Sequence, residues 1–476
     1  MKKQPIIGRK QEQLTLKQCI ETESAQFIAL YGRRRVGKTY LIKRFFDDKF
    51  DFYMSGVYKL SMSEQLSIFS DQLKLYFNKD FQSPKTWFEA FNMLRDELKR
   101  LRKRTWIVFL DELPWMDTPK SNFIRALEAF WNMWGADQPK LKLIVCGSAT
   151  SWMLNKLLGD KGGLHNRVTR RIHLHPFNLS ETECFLKYIG INWDRLQILQ
   201  CYMILGGTPF YLNMLNKNES LSQNIDRLFY GKQGELREEY DFLFRSLFKE
   251  TVIYKKIVEL LASKMKGMTR QEIVDKLGDY DSGKLSEKLE NLRQCDFLST
   301  YSAFGKKERD VMYQLSDLYV LFYLRFIKNY HGLNQRAWTE MKDQHKSTWY
   351  GYAYEQVAFH HVNQIKWALG IAGVASDIYS WQYYPKNRED KGAQIDMIIQ
   401  RADHVTNICE IKYSIGKYEL KADYLDYMIE RKEFFVDKTK NADTIHLTII
   451  TTKGVKDNRY SGYINSTIVL DDLFRE

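Results

Sequence analysis

The sequence lacks the cysteine spacing that marks disulfide frameworks and structural zinc sites. Its 476 residues contain six cysteines, which are scattered along the chain with no C-x-x-C pair among them. Small secreted proteins carry several cysteines within a short chain, which form disulfides. Structural zinc sites carry closely spaced cysteines, which bind the metal. We therefore expect reduced thiols and a chain that folds around apolar cores, for which 44% hydrophobic residues are sufficient.

Long apolar runs are also missing. A membrane-spanning helix needs roughly 18 consecutive apolar residues, and no run in the sequence approaches that length. The first ten residues, MKKQPIIGRK, are basic but are not followed by the apolar segment of a signal peptide. These absences predict a cytoplasmic protein without membrane contact.

Acidic residues are fewer than basic ones. The chain has 72 lysines and arginines against 59 aspartates and glutamates, a formal net charge of +13. Such an excess favours polyanionic partners and nucleic acid in particular, although a solvated basic face is the simpler alternative. The length of the chain predicts about three domains of ordinary size.

The segment ALYGRRRVGKTYLIK carries a phosphate-binding motif. An apolar run precedes it and an apolar-periodic run follows it, which predicts a strand, a turn and the start of a helix. The turn fits G-x-x-x-x-G-K-[ST], in which backbone N–H groups surround a phosphate, the lysine reaches the β- and γ-phosphates, and the hydroxyl binds Mg²⁺. The predicted ATP-binding residues are Gly32, Arg33, Arg34, Arg35, Val36, Gly37, Lys38 and Thr39, and Thr39 is also a predicted metal ligand.

Two further apolar runs end in polar residues. TWIVFLDEL reaches Asp111 and Glu112 and resembles a Walker B box, in which Asp111 holds Mg²⁺ and Glu112 polarises the attacking water as general base. A buried strand with a solvated acidic end is the alternative. LKLIVCGSAT predicts another strand, and Ser148 at its end is the candidate sensor of the γ-phosphate.

Arg167 stands in NRVTRRIHLHPF, just before a predicted strand of alternating apolar residues. It is a candidate catalytic arginine, acting as a finger across a subunit boundary or as a sensor within its own chain. An ordinary surface arginine explains the same residue. The sequence leaves these interpretations open, together with the existence of a homo-oligomer.

These motifs, with IIGRKQEQ before them and GGTPFYL after them, resemble the archaeal-type ATPase family, within the AAA+/STAND group of P-loop proteins. The resemblance covers about half of the chain. It implies a P-loop ATPase core at residues 1–178, with Gly8 and Arg9 near the adenine, and a helical lid at residues 179–245. A capping box, Ser180-x-x-Glu183, is expected to open the first helix of the lid.

The pattern of residues 246–330 predicts a winged helix. Apolar positions mark a first helix, a capping box at Thr269-x-x-Glu272 opens a second, and a third runs from about Ser282 to Gln294. Two strands around a glycine-containing tip follow. This arrangement is typical of DNA-binding proteins, yet the third helix mixes acidic and basic residues, so a packing spacer is the alternative to DNA contact.

The last segment, residues 331–476, carries a second group of charges. The runs AQIDMIIQ and TNICEIKY predict a hairpin that brings Asp396 beside Glu410, with Lys412 on the same face as Glu410. Two carboxylates and a lysine suit Mg²⁺-dependent phosphodiester hydrolysis. Because like charges repel, one of the two carboxylates is expected to have a raised pKa when no metal is bound.

This group of charges resembles the active site of the PD-(D/E)xK nuclease fold. The resemblance implies that Asp396 and Glu410 are metal ligands, that Lys412 is catalytic, and that Glu355, on a predicted helix, is a further metal ligand. Gln394 departs from the family pattern, which commonly has an acidic residue at that position. Proteins of this fold can lose activity, so the motif permits cleavage without requiring it.

Together these inferences predict an α/β protein, a P-loop NTPase of the AAA+ type with a helical lid, a winged-helix domain and a C-terminal restriction-endonuclease-like domain. The expected function is ATP hydrolysis, with ATP and Mg²⁺ bound, coupled to binding or metal-dependent cleavage of nucleic acid, with DNA favoured. One alternative is a nucleotide-switched regulatory or defence-type protein whose nuclease-like domain is inactive. Another is a helicase-loading ATPase, against which the strand containing Glu410 and Lys412 argues.

Overall fold

A computed structural model describes residues 5–476 except 149, 160–163, 165, 265, 279–281, 305–310, 384 and 386–391. The backbone divides into two units. The first consists of the chain up to His175 with Leu243–Lys249, and the second of Pro176–Phe242 with Glu250–Glu476. Within the described ranges, no helix is both long enough and apolar enough to cross a membrane.

The described strands of the first unit form a five-stranded parallel sheet. They are β1 (Gln26–Tyr31), β2 (Phe52–Ser55), β3 (Trp106–Asp111), β4 (Leu141–Gly147) and β5 (Arg170–His173). Their order is β2-β3-β4-β1-β5, and each neighbouring pair is parallel. All residues of β3 and β4 are buried, as expected for strands that are covered on both faces. The strands predicted before the glycine-rich turn, Asp111 and Ser148 are confirmed.

Helices cover both faces of this sheet. They are α1 (Lys10–Glu21), α2 (Lys38–Phe45), α3 (Met62–Phe77), α4 (Trp87–Arg100), α5 (Leu113–Met116), α6 (Phe123–Met133) and α7 (Thr150–Trp152). Val108 and Leu110 of β3 belong to a core with residues of α3, α4 and α6. Phe109, which points to the opposite face, belongs to a core with residues of α1 and α2. Since all five strands are parallel, their carboxyl ends meet at one edge, where ligands of such sheets bind.

Helices follow in the next part of the chain: α8 (Leu179–Tyr188), α9 (Arg195–Leu205), α10 (Pro209–Leu212), α11 (Leu221–Ile225) and α12 (Glu235–Leu247). The capping box predicted for the first of them is wrong. Asn178 caps α8 instead: its side chain accepts from the Glu181 backbone N at 2.8 Å, and the Glu181 carboxylate accepts from the Asn178 N at 3.1 Å. Asparagine and serine are N-caps of comparable strength, so the local sequence does not decide whether Asn178 or Ser180 caps the helix.

The described strands of the second unit form one eight-stranded sheet. They are β6 (Met268–Thr269), β7 (Leu298–Ala303), β8 (Val311–Leu315), β9 (Ser376–Tyr383), β10 (Ala393–Arg401), β11 (Val405–Lys412), β12 (Thr444–Thr451) and β13 (Ser466–Ile468). Their order is β13-β12-β11-β10-β9-β7-β8-β6. Because β7 pairs with β9, the segments predicted as winged helix and nuclease-like domain share this sheet.

The remaining helices are α13 (Thr251–Ser263), α14 (Arg270–Leu277), α15 (Ser282–Gln294), α16 (Leu318–Phe322), α17 (Asp343–His360), α18 (Val362–Ala368), α19 (Ala422–Thr439) and α20 (Leu470–Leu473). The predicted capping box of α14 is confirmed, with Thr269 and Glu272 each accepting from the other's backbone N. The bounds predicted for α15 are also confirmed. The tip between β7 and β8, residues 305–310, lies outside the described residues.

The predicted hairpin of residues 393–412 is present as β10 and β11, which pair in antiparallel fashion with Ile398 opposite Ile408. These two side chains join Met428 and Phe435 of α19 in a core on one face of the sheet. On its other side β10 pairs with β9, and the register shifts between Ile395 and Ile398. A bulge of this kind redirects side chains, and Asp396 lies within it.

Within the second unit, His361 connects α8 to the C-terminal helices. It follows α17, is fully buried, and accepts from the Leu179 backbone N at 3.0 Å through Nε2, while its Nδ1 lies 2.8 Å from the Val357 carbonyl oxygen. Burial lowers the pKa of His361 from 6.5 to about 4. A neutral ring, with its proton on Nδ1, satisfies both contacts.

We predict that this histidine makes the protein less stable in mild acid. Below pH 6.5 the unfolded chain protonates His361 while the folded chain does not, so folded-state stability falls as the pH drops from 6.5 towards 4. Melting temperatures across this range should therefore fall less steeply in His361→Gln than in the unsubstituted protein. His404→Gln is the control, because the His404 side chain is 92% exposed. Parallel pH profiles for all three proteins would contradict the prediction.

Candidate functional site

The turn between β1 and α2 has the backbone geometry that its glycines predict. Gly32 has a φ of +143°, and a Cβ there would lie 2.3 Å from the carbonyl oxygen of Leu174. Gly37, just before α2, has a φ of +93°. Side chains other than hydrogen are strained at such angles, so both positions require glycine. The loop therefore closes tightly at the start of α2, with the helix N-terminus facing it.

Lys38 reaches into this loop. Its ammonium donates to the carbonyl oxygens of Gly32 at 2.8 Å and Arg33 at 2.9 Å, and the residue is buried. A buried ammonium needs acceptors on several sides, and these carbonyls satisfy that need. An incoming phosphate can provide stronger, charged acceptors for the same group.

The carboxylate of Asp111, at the end of β3, accepts several hydrogen bonds. It is buried, and it accepts from the Thr39 hydroxyl at 2.7 Å and from the Glu112 backbone N at 2.9 Å. The Cys146 thiol of β4 also donates to it. Burial raises the pKa of Cys146 well above its usual range, and Asp111 raises it further, so the thiol keeps its proton. The sequence did not single out Cys146, because a cysteine inside an apolar run looks like a core residue.

Glu112 and Ser148 lie against each other. The Glu112 carboxylate accepts from the Ser148 hydroxyl at 2.8 Å and from the Ser148 backbone N at 3.1 Å. Glu112 has a φ of 49°, an uncommon angle for a side chain of this size. Burial raises the pKa of Glu112, with Lys38 opposing and Asp111 adding to the shift. The predicted general base is therefore held in place, close to the lysine that is expected to bind phosphate.

Of the two N-terminal residues predicted to lie near the adenine, Arg9 contacts the glycine-rich loop and Gly8 contacts α1. The Arg9 guanidinium is buried and donates to the Val36 carbonyl oxygen at 3.1 Å. The Gly8 carbonyl oxygen accepts from the Gln13 side chain at 2.8 Å. Of the loop arginines, Arg33 is buried and Arg34 and Arg35 are half-buried. Adenine contact by Gly8 and Arg9 stays a prediction.

Arg167 is exposed, just before β5. An exposed position is compatible with a finger directed at another subunit and with an ordinary surface arginine. Its catalytic role, in the same chain or across a subunit boundary, therefore stays a prediction.

In the second unit, Glu355 and Asp396 meet at one ammonium group. Lys266 Nζ lies 2.5 Å from a Glu355 oxygen and 3.2 Å from an Asp396 oxygen. Burial raises the pKa of Glu355, Asp396 raises it further, and Lys266 and Lys412 oppose the shift. The sequence predicted Glu355 and Asp396 as neighbours but missed Lys266, which lies 130 residues before Asp396.

Glu410 is enclosed by other partners. Its carboxylate is only 5% exposed, accepts from Lys412 Nζ at 2.7 Å, and also contacts Arg431 and Tyr424 of α19. Burial opposes ionisation, but Arg431 and Lys412 together lower the pKa of Glu410. Glu410 is therefore not a carboxylate with the expected raised pKa, because two cations compensate its charge. No sequence motif indicated Arg431 or Tyr424.

The predicted nuclease-like residues therefore fall into two charge groups, one around Lys266 and one around Glu410. Lys412 is close to both: burial lowers its pKa, while Glu410 and Asp396 raise it by more. Carboxylate oxygens that converge on one cation are a suitable donor set for Mg²⁺ or Mn²⁺. Glu355 and Asp396 fit such an ion in chemistry, although Lys266 now lies at their oxygens. The Glu410 oxygens contact two cations, Lys412 and Arg431, and a tyrosine hydroxyl.

Comparison with known proteins decides the identity of the first part of the chain. Residues 7–215 match the model of a family described as an ATPase domain predominantly from Archaea. The chain contains an archaeal-type ATPase domain. This confirms the resemblance that the P-loop and Walker B motifs predicted. Beyond the ATPase domain, the winged-helix and nuclease-like assignments stay predictions.

Several proteins are similar to the chain over larger or smaller parts. An uncharacterized protein of Methanocaldococcus jannaschii is 28% identical over 330 residues, 68% of this chain and 69% of that protein. An uncharacterized ATP-binding protein of the same organism is 49% identical over 44 residues, 9% of this chain and 75% of that protein. Among solved structures, a Walker-type ATPase of Pyrococcus abyssi matches with a TM-score of 0.48 and 18% identity, covering 67% of this chain and 96% of that one.

Proposed function

We propose that the ATPase domain binds ATP with Mg²⁺ and hydrolyses it. The observation that supports this most directly is the contact between the Thr39 hydroxyl and the Asp111 carboxylate at 2.7 Å. These are the two side chains from which a P-loop site holds Mg²⁺. They lie at the carboxyl edge of a parallel sheet, where nucleotides bind in such folds.

Each residue of the site then has a distinct task. Lys38 exchanges the Gly32 and Arg33 carbonyls for phosphate oxygens. Thr39 and Asp111 would hold Mg²⁺, which would offset the phosphate charge. Glu112 accepts the proton of the attacking water. Its raised pKa suits this role, because a base accepts a proton more readily when its pKa lies nearer the working pH.

The direct test is an assay of nucleotide binding and phosphate release by the purified full-length chain. We expect ATP to bind, and phosphate to be released only when Mg²⁺ is present and not after chelation with EDTA. Binding without release would support a nucleotide switch that does not hydrolyse ATP. Absence of both would contradict the proposal.

Contacts within the second unit suggest how the lid helices act on the C-terminal strands. Gln200 of α9 donates to the Tyr413 hydroxyl at 2.8 Å, and Arg195 of the same helix pairs with Asp471 at 2.9 Å. Tyr413 directly follows Lys412. A displacement of α9 during the nucleotide cycle would therefore shift the end of β11, which carries Glu410 and Lys412.

For the predicted winged-helix segment, the contacts favour packing over DNA binding. Two basic side chains of α15 are paired with acids: Lys288 contacts Glu250, and Arg293 lies 2.6 Å from Glu290. Paired cations contribute less to phosphate binding, which depends on the number of counterions that the protein replaces. We propose that nucleic acid, which the net charge of +13 favours as a partner, is contacted elsewhere on the chain.

A second candidate function is metal-dependent cleavage of phosphodiesters by the C-terminal segment. The observation in its favour is the convergence of Glu355 and Asp396 on one cation, with Lys412 close enough to affect the pKa of Glu355. The pairing of Glu410 with Arg431 favours the alternative, a regulatory protein whose nuclease-like segment is inactive. We propose that the segment is closed in the conformation described and cleaves only after its carboxylates are released.

If this second function is correct, Asp396→Ala will reduce Mg²⁺- or Mn²⁺-dependent cleavage of DNA or RNA by about 100-fold or more. The substitution removes a metal ligand, so the loss is expected whichever nucleic acid is cut. ATP turnover should stay unchanged. Cleavage is measured on single- and double-stranded DNA and RNA, with and without ATP.

The control for this experiment is Asp403→Ala, in the turn of the same hairpin, where Asp403 pairs with Arg401. It should leave cleavage intact. If the unsubstituted protein cleaves none of these substrates with either metal, the inactive regulatory alternative replaces the nuclease proposal.

A further inference from the structure

Lys266 is held in its position by the backbone around it. The residue lies in the turn between α13 and β6, where the Gly267 N donates to the Lys264 carbonyl oxygen at 3.0 Å and Gly267 has a φ of +80°. The Tyr301 hydroxyl donates to the Lys266 carbonyl oxygen, and the Tyr301 ring stacks on Phe359 of α17. The lysine is thus anchored next to the helix that carries Glu355.

The Lys266 side chain is only about one third exposed, at 32%, and its two acidic partners are 20% and 12% exposed. In this setting a single positive charge between two carboxylates relieves their mutual repulsion. The same position, bounded by the same oxygens, is the one that a divalent cation needs. An ammonium group and a metal ion cannot both occupy it.

We propose that Lys266 is a built-in competitor for the divalent cation at Glu355 and Asp396, and that it keeps this site closed until its ammonium withdraws. The proposal rests on the second candidate function, because it concerns the control of that metal site. It assigns Lys266 a regulatory role: withdrawal of its ammonium from the two carboxylates opens the site.

The competition has a measurable consequence. A metal ion that binds at Glu355 and Asp396 must first break two ion pairs with Lys266, so the observed metal affinity is lower than the affinity of the empty carboxylate pair. Removing the ammonium while keeping the apolar stem, as in Lys266→Met, removes this competition. We expect Mn²⁺ to bind Lys266→Met on the order of tenfold more tightly, because two partly exposed ion pairs together contribute roughly the free energy of one factor of ten.

The test is a Mn²⁺ titration of the full-length chain without nucleotide, followed by electron paramagnetic resonance. All proteins carry Asp111→Asn, so that Mn²⁺ at the ATPase site does not contribute. The proteins compared are this parent, Lys266→Met, Lys266→Arg and Lys264→Met, together with Asp396→Asn in the parent and in Lys266→Met. Lys264 is the matched control, because it lies two residues away and pairs with Glu272 at 2.6 Å. Tighter binding by Lys266→Met alone is the expected result.

The outcomes separate this proposal from the function on which it rests. If the parent and Lys266→Met bind Mn²⁺ with equal affinity, and Asp396→Asn abolishes this binding, the metal site is supported and the competition by Lys266 is wrong. If Asp396→Asn changes nothing in either background, the metal site itself is wrong, and the competition is wrong with it.

A second measurement does not depend on a folded Lys266 variant. In the unsubstituted chain, acetylation of Lys266 by acetic anhydride, quantified by mass spectrometry, should increase when Mn²⁺ is added, because the displaced ammonium becomes accessible. Acetylation of Lys264 should not change. Constant acetylation of Lys266 at saturating Mn²⁺ would overturn the proposal.

Discussion

Replacing Lys38 with alanine is expected to weaken ATP binding by about 100-fold or more. The ammonium is buried in the glycine-rich loop and bonded to two of its carbonyl oxygens. It is the cation that the motif directs at the β- and γ-phosphates, and in a buried site the loss of one partner of a charged contact is costly. Binding is measured with a fluorescent ATP analogue or by calorimetry.

The matched control for this substitution is Lys17→Ala. Lys17 lies on α1 in the same unit, its side chain is 67% exposed, and its pairing with Glu21 at 3.9 Å contributes little. Nucleotide affinity should be unchanged in that variant. Melting curves of both variants show whether the loop still folds without the Lys38 ammonium. Unchanged ATP affinity in a folded Lys38→Ala protein would contradict the assignment of the loop.

Glu112→Gln is expected to retain ATP binding and to slow hydrolysis by about 10²- to 10⁴-fold. Glutamine keeps the size of the side chain and can still accept from Ser148, but it cannot take a proton from water. The free-energy change should therefore appear in kcat and not in the affinity for ATP. Single-turnover hydrolysis and equilibrium binding, measured on the same preparation, separate the two quantities.

The pH profile provides an independent check of Glu112. Burial raises its pKa, and only the ionised carboxylate accepts a proton, so turnover should rise with pH through that raised pKa and then level off. Glu21→Gln, an exposed glutamate on α1, should leave both kcat and the profile unchanged. Equal turnover in Glu112→Gln and in the unsubstituted protein would show that another group activates the water.

Motifs that lie on consecutive residues were predictable from the sequence. The strands before Lys38, Asp111 and Ser148 are apolar runs that end in glycine or polar residues, and this pattern is local to each strand. The hairpin of Asp396 and Glu410 is another local pattern, because two short strands joined by a tight turn pair with each other. Local patterns failed at the start of α8, where two capping residues of similar strength stand two positions apart.

Partners that come from distant parts of the chain were not predictable. Cys146 lies 35 residues from Asp111, and Lys266 lies 89 residues from Glu355. Neither residue belongs to a motif. In the sequence, a cysteine within an apolar run looks like an ordinary core residue, and a lysine in a turn looks like an ordinary surface residue. Their contacts arise because strands and turns far apart in sequence become neighbours in a sheet.

The sequence by itself determined which residues have the chemistry for ATP and for a divalent cation, because spacing along a strand, turn or helix places side chains relative to their own backbone. Only the tertiary structure decided which charges meet. It placed Arg431 and Lys412 on Glu410, and Lys266 between Glu355 and Asp396. The physical reason is that the interaction of two charges depends on their distance in space, which the number of residues between them in the chain does not determine.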